Sequence, residues 1–258
     1  MSSSLFNEHG RIDPVDLTAA AYRQSRRYFL CDTPDIDLAD VFTRTCGVLG
    51  TPDDLTVDDF RDRVGQTLST LASNPETANI IAGVHIPFLI PRNDSLGDLG
   101  VSLEEHYLPA LERTFLQKFP DSDFAVETSS LAGRVVPVEG SRHERLIQLA
   151  EKESVVGIYF PCMTEYSIPA AIEQVGRLPE NFLATGGLDL IAALIAAPGL
   201  LIRKDGYPPT LWLTAIQAEN ENVGYHFEAY GYNLKFYRRS HLGLTSEYWW
   251  QGVTVLPD

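Results

Sequence analysis

Two neighbouring segments near the C-terminus alternate strictly between apolar and polar residues, and they leave the chain little freedom there. Val223, Tyr225, Phe227 and Ala229 fall on one face of an extended segment, and Gly224, His226, Glu228 and Tyr230 on the other. Gly231-Tyr232 supplies turn chemistry, and Asn233 to Arg239 alternates again. Only a β-hairpin with one buried face satisfies a period of two on both sides of a turn. Thr210 to Gln217 and Tyr248 to Leu256 read as further strands, so the spacing predicts an antiparallel meander of three or four strands.

Upstream the pattern changes. Ser154 to Phe160 is a continuous apolar run of strand length, as expected in the middle of a sheet. Asn79 to Ile90 reads as a buried strand, with Pro87 placing part of it at an edge or bulge. Helices are predicted from Asp13-Pro14 through Phe29, over Asp37 to Leu49, and from Thr56, whose partner Asp59 completes a short capping box. Ser102-Leu-Glu-Glu and Ser141-Arg-His-Glu read as two more capping boxes, with Pro109 able to kink the first helix. Two helices, Ser167 to Gly176 and Leu188 to Ala197, complete the central part. The expected fold is α+β, a single mixed domain. A helical N-terminal region over residues 1–75, a cap or subdomain, precedes a core over 76–258 that ends in the meander.

Composition narrows the function. Hydrophobic residues make up 44% of the 258, enough for a sizeable core, and 35 acidic against 20 basic residues give a formal charge of −15. Such a field repels phosphate backbones and anionic headgroups, so neither nucleic acid nor a membrane surface is expected as partner. No secretory leader pattern is visible at Met1-Ser-Ser-Ser-Leu-Phe, and the expected location is the cytoplasm. Cys31, Cys46 and Cys162 are too widely spaced for a zinc knuckle or a redox pair. No phosphate-binding loop, G-x-S-x-G elbow or metal-ligand spacing occurs, so no cofactor and no metal is expected.

Two candidate sites remain. The first is the C-terminal β-face, where His226 and Glu228 should meet Tyr237 and Arg239 across the hairpin. Trp249 and Trp250 must point to opposite faces of their strand, so an indole left uncovered beside Tyr237 and Arg239 would anchor a partner. On this reading the protein binds a protein partner, favoured if basic, or a small ligand. The second is Cys162, placed at a strand-to-helix junction where helix dipoles can activate a thiol, with Glu165 close in sequence and His143 as base. That reading makes the protein a hydrolase or transferase; otherwise Cys162 is a small buried hydrophobe beside Met163.

Overall fold

The computed structural model describes residues 4–94 and 96–257. Its frame is a mixed sheet with helices packed against it. Strand β1 (Ile86–Ile90) lies at one edge and pairs antiparallel with β4 (Val155–Thr164). Then follow β10 (Trp249–Val255), β6 (Thr210–Trp212), β8 (Val223–Tyr230), β9 (Asn233–Ser240) and β2 (Phe124–Glu127). The short β5 (Phe182–Ala184) also pairs with β10, and β3 (Val135–Pro137) and β7 (Ile216–Ala218) form a separate two-stranded ribbon. Pairing is antiparallel except for β10 with β6 and β2 with β9. The expected α+β architecture is therefore present, with one refinement to the C-terminal part. β6, β8 and β9 run antiparallel, but β10 leaves them and inserts between β4 and β6.

The alternation of β8 works as physical chemistry requires. Tyr225 and Phe227 enter the main core, while the His226 ring packs, tilted, at 4.7 Å from Trp212, a member of a second, smaller cluster on the opposite face. Gly231 and Tyr232, at φ of 59° and 75°, make the two-residue turn that joins β8 to β9. β10 needs a correction of parity. A register shift between Gln251 and Val253 lets Trp250, Val253 and Val255 all join the main core. Gly252 sits in that shift because a Cβ there would lie 2.2 Å from the Tyr159 ring.

Several helices follow their local signals. Asp37 caps α1 (Leu38–Leu49), and Thr56 with Asp59 forms a complete capping box at α2 (Val57–Ser73), which runs unbroken through Gly65. The helix predicted from Ser102 starts earlier, as α3 (Leu99–Ser102) capped by Asp98. It continues through a π-helical turn (Leu103–Tyr107) into α4 (Leu108–Lys118), which opens on Pro109. A proline has no N–H to return to the preceding turn, and the wider turn accommodates the loss. At α5 (His143–Ala150) the expected Ser141 box is absent. Arg142 occupies the cap position at φ 62°, and Ser141 Oγ instead accepts from the His143 N–H. Of Asn79 to Ile90, only Ile86–Ile90 is strand; a 3₁₀ turn covers Ala78–Ala82, and Pro87 is tolerated because β1 is the edge strand. Ser167 caps α6 (Ile168–Val175), and α7 (Gly187–Ala196) is buried over its whole length against β1, β4, α1 and α4.

The N-terminal segment departs most from expectation. Residues 13–29 form no helix but an irregular arm whose backbone bonds go to the end of β4. The Ile12 N–H donates to the Cys162 carbonyl, the Tyr22 N–H to the Glu165 carbonyl, and the Ser167 N–H to the Ala20 carbonyl. Leu17, Ala20, Ala21 and Phe29 make too weak a stripe to hold a helix against that competition. No helix among the described residues is long and apolar enough to cross a membrane.

Candidate functional site

The arm crosses the ends of β4 and β10 and encloses a cleft of about 490 Å³. One wall is strand: Pro161, Cys162, Thr164 and Trp250. The facing wall is arm: Asn7 to Arg11, Arg23 to Ser25, Arg27, Leu30 and Cys31. Ala82 to Val84 close one end. The close fit of arm and sheet begins at Gly10. Its φ of +73° and the 2.5 Å that would separate a Cβ from the Gly83 nitrogen both exclude a side chain.

Arg11 then clamps the arm. It is 6% exposed, and its guanidinium spends its donors inside the protein. Nε donates to Thr164 Oγ1 at 2.9 Å and Nη1 to Asp13 Oδ1 at 2.6 Å; Nη2 donates to the Tyr22 carbonyl at 2.6 Å and the Thr164 carbonyl at 3.1 Å. Glu165 holds the same segment from the other side. Its carboxylate accepts from Ser25 Oγ and the Arg26 N–H, and its backbone stands in the left-handed region at φ 64°. Burial pushes the Glu165 carboxyl above its ordinary range, against the lowering effect of those bonds and of Arg11.

The three residues of the nucleophile reading are thereby separated in role. β4 runs on to Thr164, so Cys162 lies within a strand and not at its junction with α6. The register shift in its pairing with β10 falls at Pro161 and Cys162, between the paired Phe160 and Met163. Cys162 borders the cleft; His143 and Glu165 do not. The His143 ring is fully buried under Gly186, with neither nitrogen hydrogen-bonded, and burial holds it neutral despite the pull of Asp189. Burial also pushes the Cys162 thiol up to about 12, and Cys31 is raised by the same cause. A thiol raised by burial holds far less thiolate near neutral pH than a free one. Iodoacetamide at pH 8 is therefore expected to label the half-buried Cys46 first, with Cys162 and Cys31 following only as the protein opens. Peptide mass spectrometry over a time course checks this, and equal labelling of Cys162 and Cys46 in the native protein would contradict it.

The C-terminal face is assembled largely as its alternation predicts. His226 lies opposite Tyr237, Glu228 opposite Lys235, and Gly224 opposite Arg239. His226 is fully buried, held neutral by burial, and its Nε2–H reaches Glu228 Oε2 at 3.3 Å. Glu228 is held below the usual carboxylate range, first by that bond and then by nearby basic groups. Arg239 hydrogen-bonds the Tyr248 hydroxyl and lies 5.5 Å from its ring. The expected uncovered indole is not there. Trp249 is 4% and Trp250 7% exposed, because Ile168 and Leu242 cover one face of β10 while the arm and main core cover the other. The exposed aromatics of this face are Tyr230 and Tyr232 at the β8–β9 turn, and another exposed pair sits beside the arm. Tyr28 stacks on Tyr207 at 5.9 Å, and Phe29 links that pair to Tyr248 at 5.6 Å.

Sequence reasoning missed His9, Arg23, Arg27 and Cys31 as cleft residues: a helix predicted over 13–29 points Arg23 and Arg27 in other directions, and nothing local to His9 or Cys31 ties them to β4. Among the described residues no group of three or more His, Cys, Asp or Glu is arranged to hold a metal ion. Comparison with known proteins returned no matching family model, no matching curated protein and no matching solved structure.

Proposed function

We propose that this protein acts by binding a small molecule in the cleft between the N-terminal arm and the ends of β4 and β10. The observation that carries the reading is that the cleft is built in advance. Its movable-looking wall is fixed by the Arg11 clamp, by Glu165 and by the Gly10–Gly83 contact, so a ligand meets ordered walls and little ordering entropy is lost on binding. Its volume of about 490 Å³ falls within the ordinary range for small-molecule sites. Trp250 and Leu30 offer apolar surface there, and the arginines offer charge. The raised Cys162 thiol supports binding more than nucleophilic chemistry.

The test uses a small-molecule panel read by thermal shift and tryptophan fluorescence. A true ligand at a hundred times its Kd stabilises by about 2.7 kcal/mol, a rise of roughly 5–10 °C for a chain of this size. Ala82→Trp, placed on the exposed mouth of the cleft, should leave the fold intact and abolish the shift. The same rise in Ala82→Trp, or no saturable shift with any compound, would remove the cleft as the site.

A further inference from the structure

We infer that the ligand of this cleft is a small monocarboxylate with an apolar body, its charge received by Arg23 and Arg27. The inference rests on the binding reading above and adds the chemistry that the cleft selects.

Of the three arginines on the cleft, Arg11 is spent on the clamp. Arg23 is exposed and its guanidinium has no hydrogen bond or ion pair among the described residues, yet its backbone is fastened: its carbonyl accepts from Arg11 Nη1 at 3.4 Å. Arg27 is held more unusually. Its backbone stands at φ 51°, its N–H is bonded to Ser25 Oγ, and its Nη1 lies 2.7 Å from His9 Nε2. A guanidinium has no lone pair to offer, so the imidazole accepts and thereby orients the fork. Two basic side chains are thus docked on each other, and among the described residues no carboxylate is ion-paired to Arg27. Glu8, largely exposed, lies 3.8 Å from His9 Nε2. A backbone held in the left-handed region by a bulky residue is a cost commonly found where a side chain must be aimed.

Charge count sets the valence. Asp13 is neutralised by Arg11, which leaves Arg23 and Arg27 facing Glu8 inside a molecule of formal charge −15. Each additional negative charge on a ligand works against that field, so a single carboxylate suits the site better than a doubly charged phosphate. The planar fork of a guanidinium matches a carboxylate bidentately. Trp250, Leu30 and Val84 line the same cleft and suit an apolar body.

The experiment titrates the full chain with butyrate, octanoate, benzoate and phenylacetate, with the primary amide of each, and with phenyl phosphate, at 50 and 500 mM NaCl. At least one carboxylate should bind saturably, its amide should bind at least tenfold more weakly, and high salt should weaken the carboxylate severalfold. Arg27→Gln and Arg23→Gln, both exposed positions checked for folding by circular dichroism, should each weaken it about tenfold or more. Amides that bind as well as carboxylates, with loss of both in Ala82→Trp, would overturn the anion inference and leave the cleft reading standing. Tighter binding of phenyl phosphate, or carboxylate affinity unchanged in both arginine variants, would overturn the inference as well. Carboxylate binding that persists in Ala82→Trp would overturn the cleft reading itself.

Discussion

Phe227→Ala should lower stability by about 3–5 kcal/mol, as for truncation of a fully buried phenylalanine, and lower Tm by roughly 10 °C. Phe227 is the point at which the C-terminal strands are tied into the main core. It lies opposite Leu211 on β6 and Phe236 on β9, with its ring 5.0 Å from that of Phe236, and no part of it reaches solvent. Neighbours on two flanking strands cannot both move into the vacated volume, so the cavity persists and adds to the lost transfer energy. Tyr230→Ala on the same strand, at a residue 78% exposed, should change stability by about 0.5 kcal/mol or less. Urea unfolding of the pair measures both. A loss below 1 kcal/mol for Phe227→Ala would mean that β8 is not anchored as described.

Arg11→Ala should cost about 3 kcal/mol, because hydrogen bonds from a charged donor are worth more than neutral ones and several acceptors lose their partner together. The acceptors left behind are Thr164 Oγ1 and the carbonyls of Thr164 and Tyr22, all at the junction of arm and sheet. The loss should be local as well as global. Amide exchange at Ile12 and Tyr22, whose N–H groups bond to the end of β4, should rise well beyond that of α7. Arg11→Lys should recover less than half, since one ammonium cannot reach acceptors spread around a planar fork. Unchanged protection at Ile12 and Tyr22 in Arg11→Ala would show that the arm is held by other contacts.

What could be read from the sequence was whatever is decided within a few residues. The β8–β9 hairpin follows from its alternation and its turn, and α2 follows from Thr56, Asp59 and the stripe through Phe60, Val64 and Leu71. Features that depend on distant partners were not legible. The arm has the composition of a weak helix, but Ile12, Tyr22 and Ala20 find hydrogen-bond partners more than 140 residues away. Adjacent Trp249 and Trp250 do point to opposite faces, yet nothing local reveals that both faces are covered. The face that unites His226, Glu228, Tyr237 and Arg239 was legible because register within a hairpin is local. The cleft was not, since Arg23, Cys162 and Trp250 come from three remote parts of the chain.

The place of β10 sets a timetable for synthesis. Strand Trp249–Val255 stands between β4 and β6, yet it leaves the ribosome after every other strand of the sheet. Until it arrives, β1 with β4 and β6 with β8 and β9 are two half-sheets whose facing edges lack their partner. Bare edges of that kind invite pairing with other chains, and the long sequence separation makes closure slow. Misassembly is consequently most favoured in the interval between the emergence of β9 and that of β10, and β10 acts as the keystone that removes both edges at once.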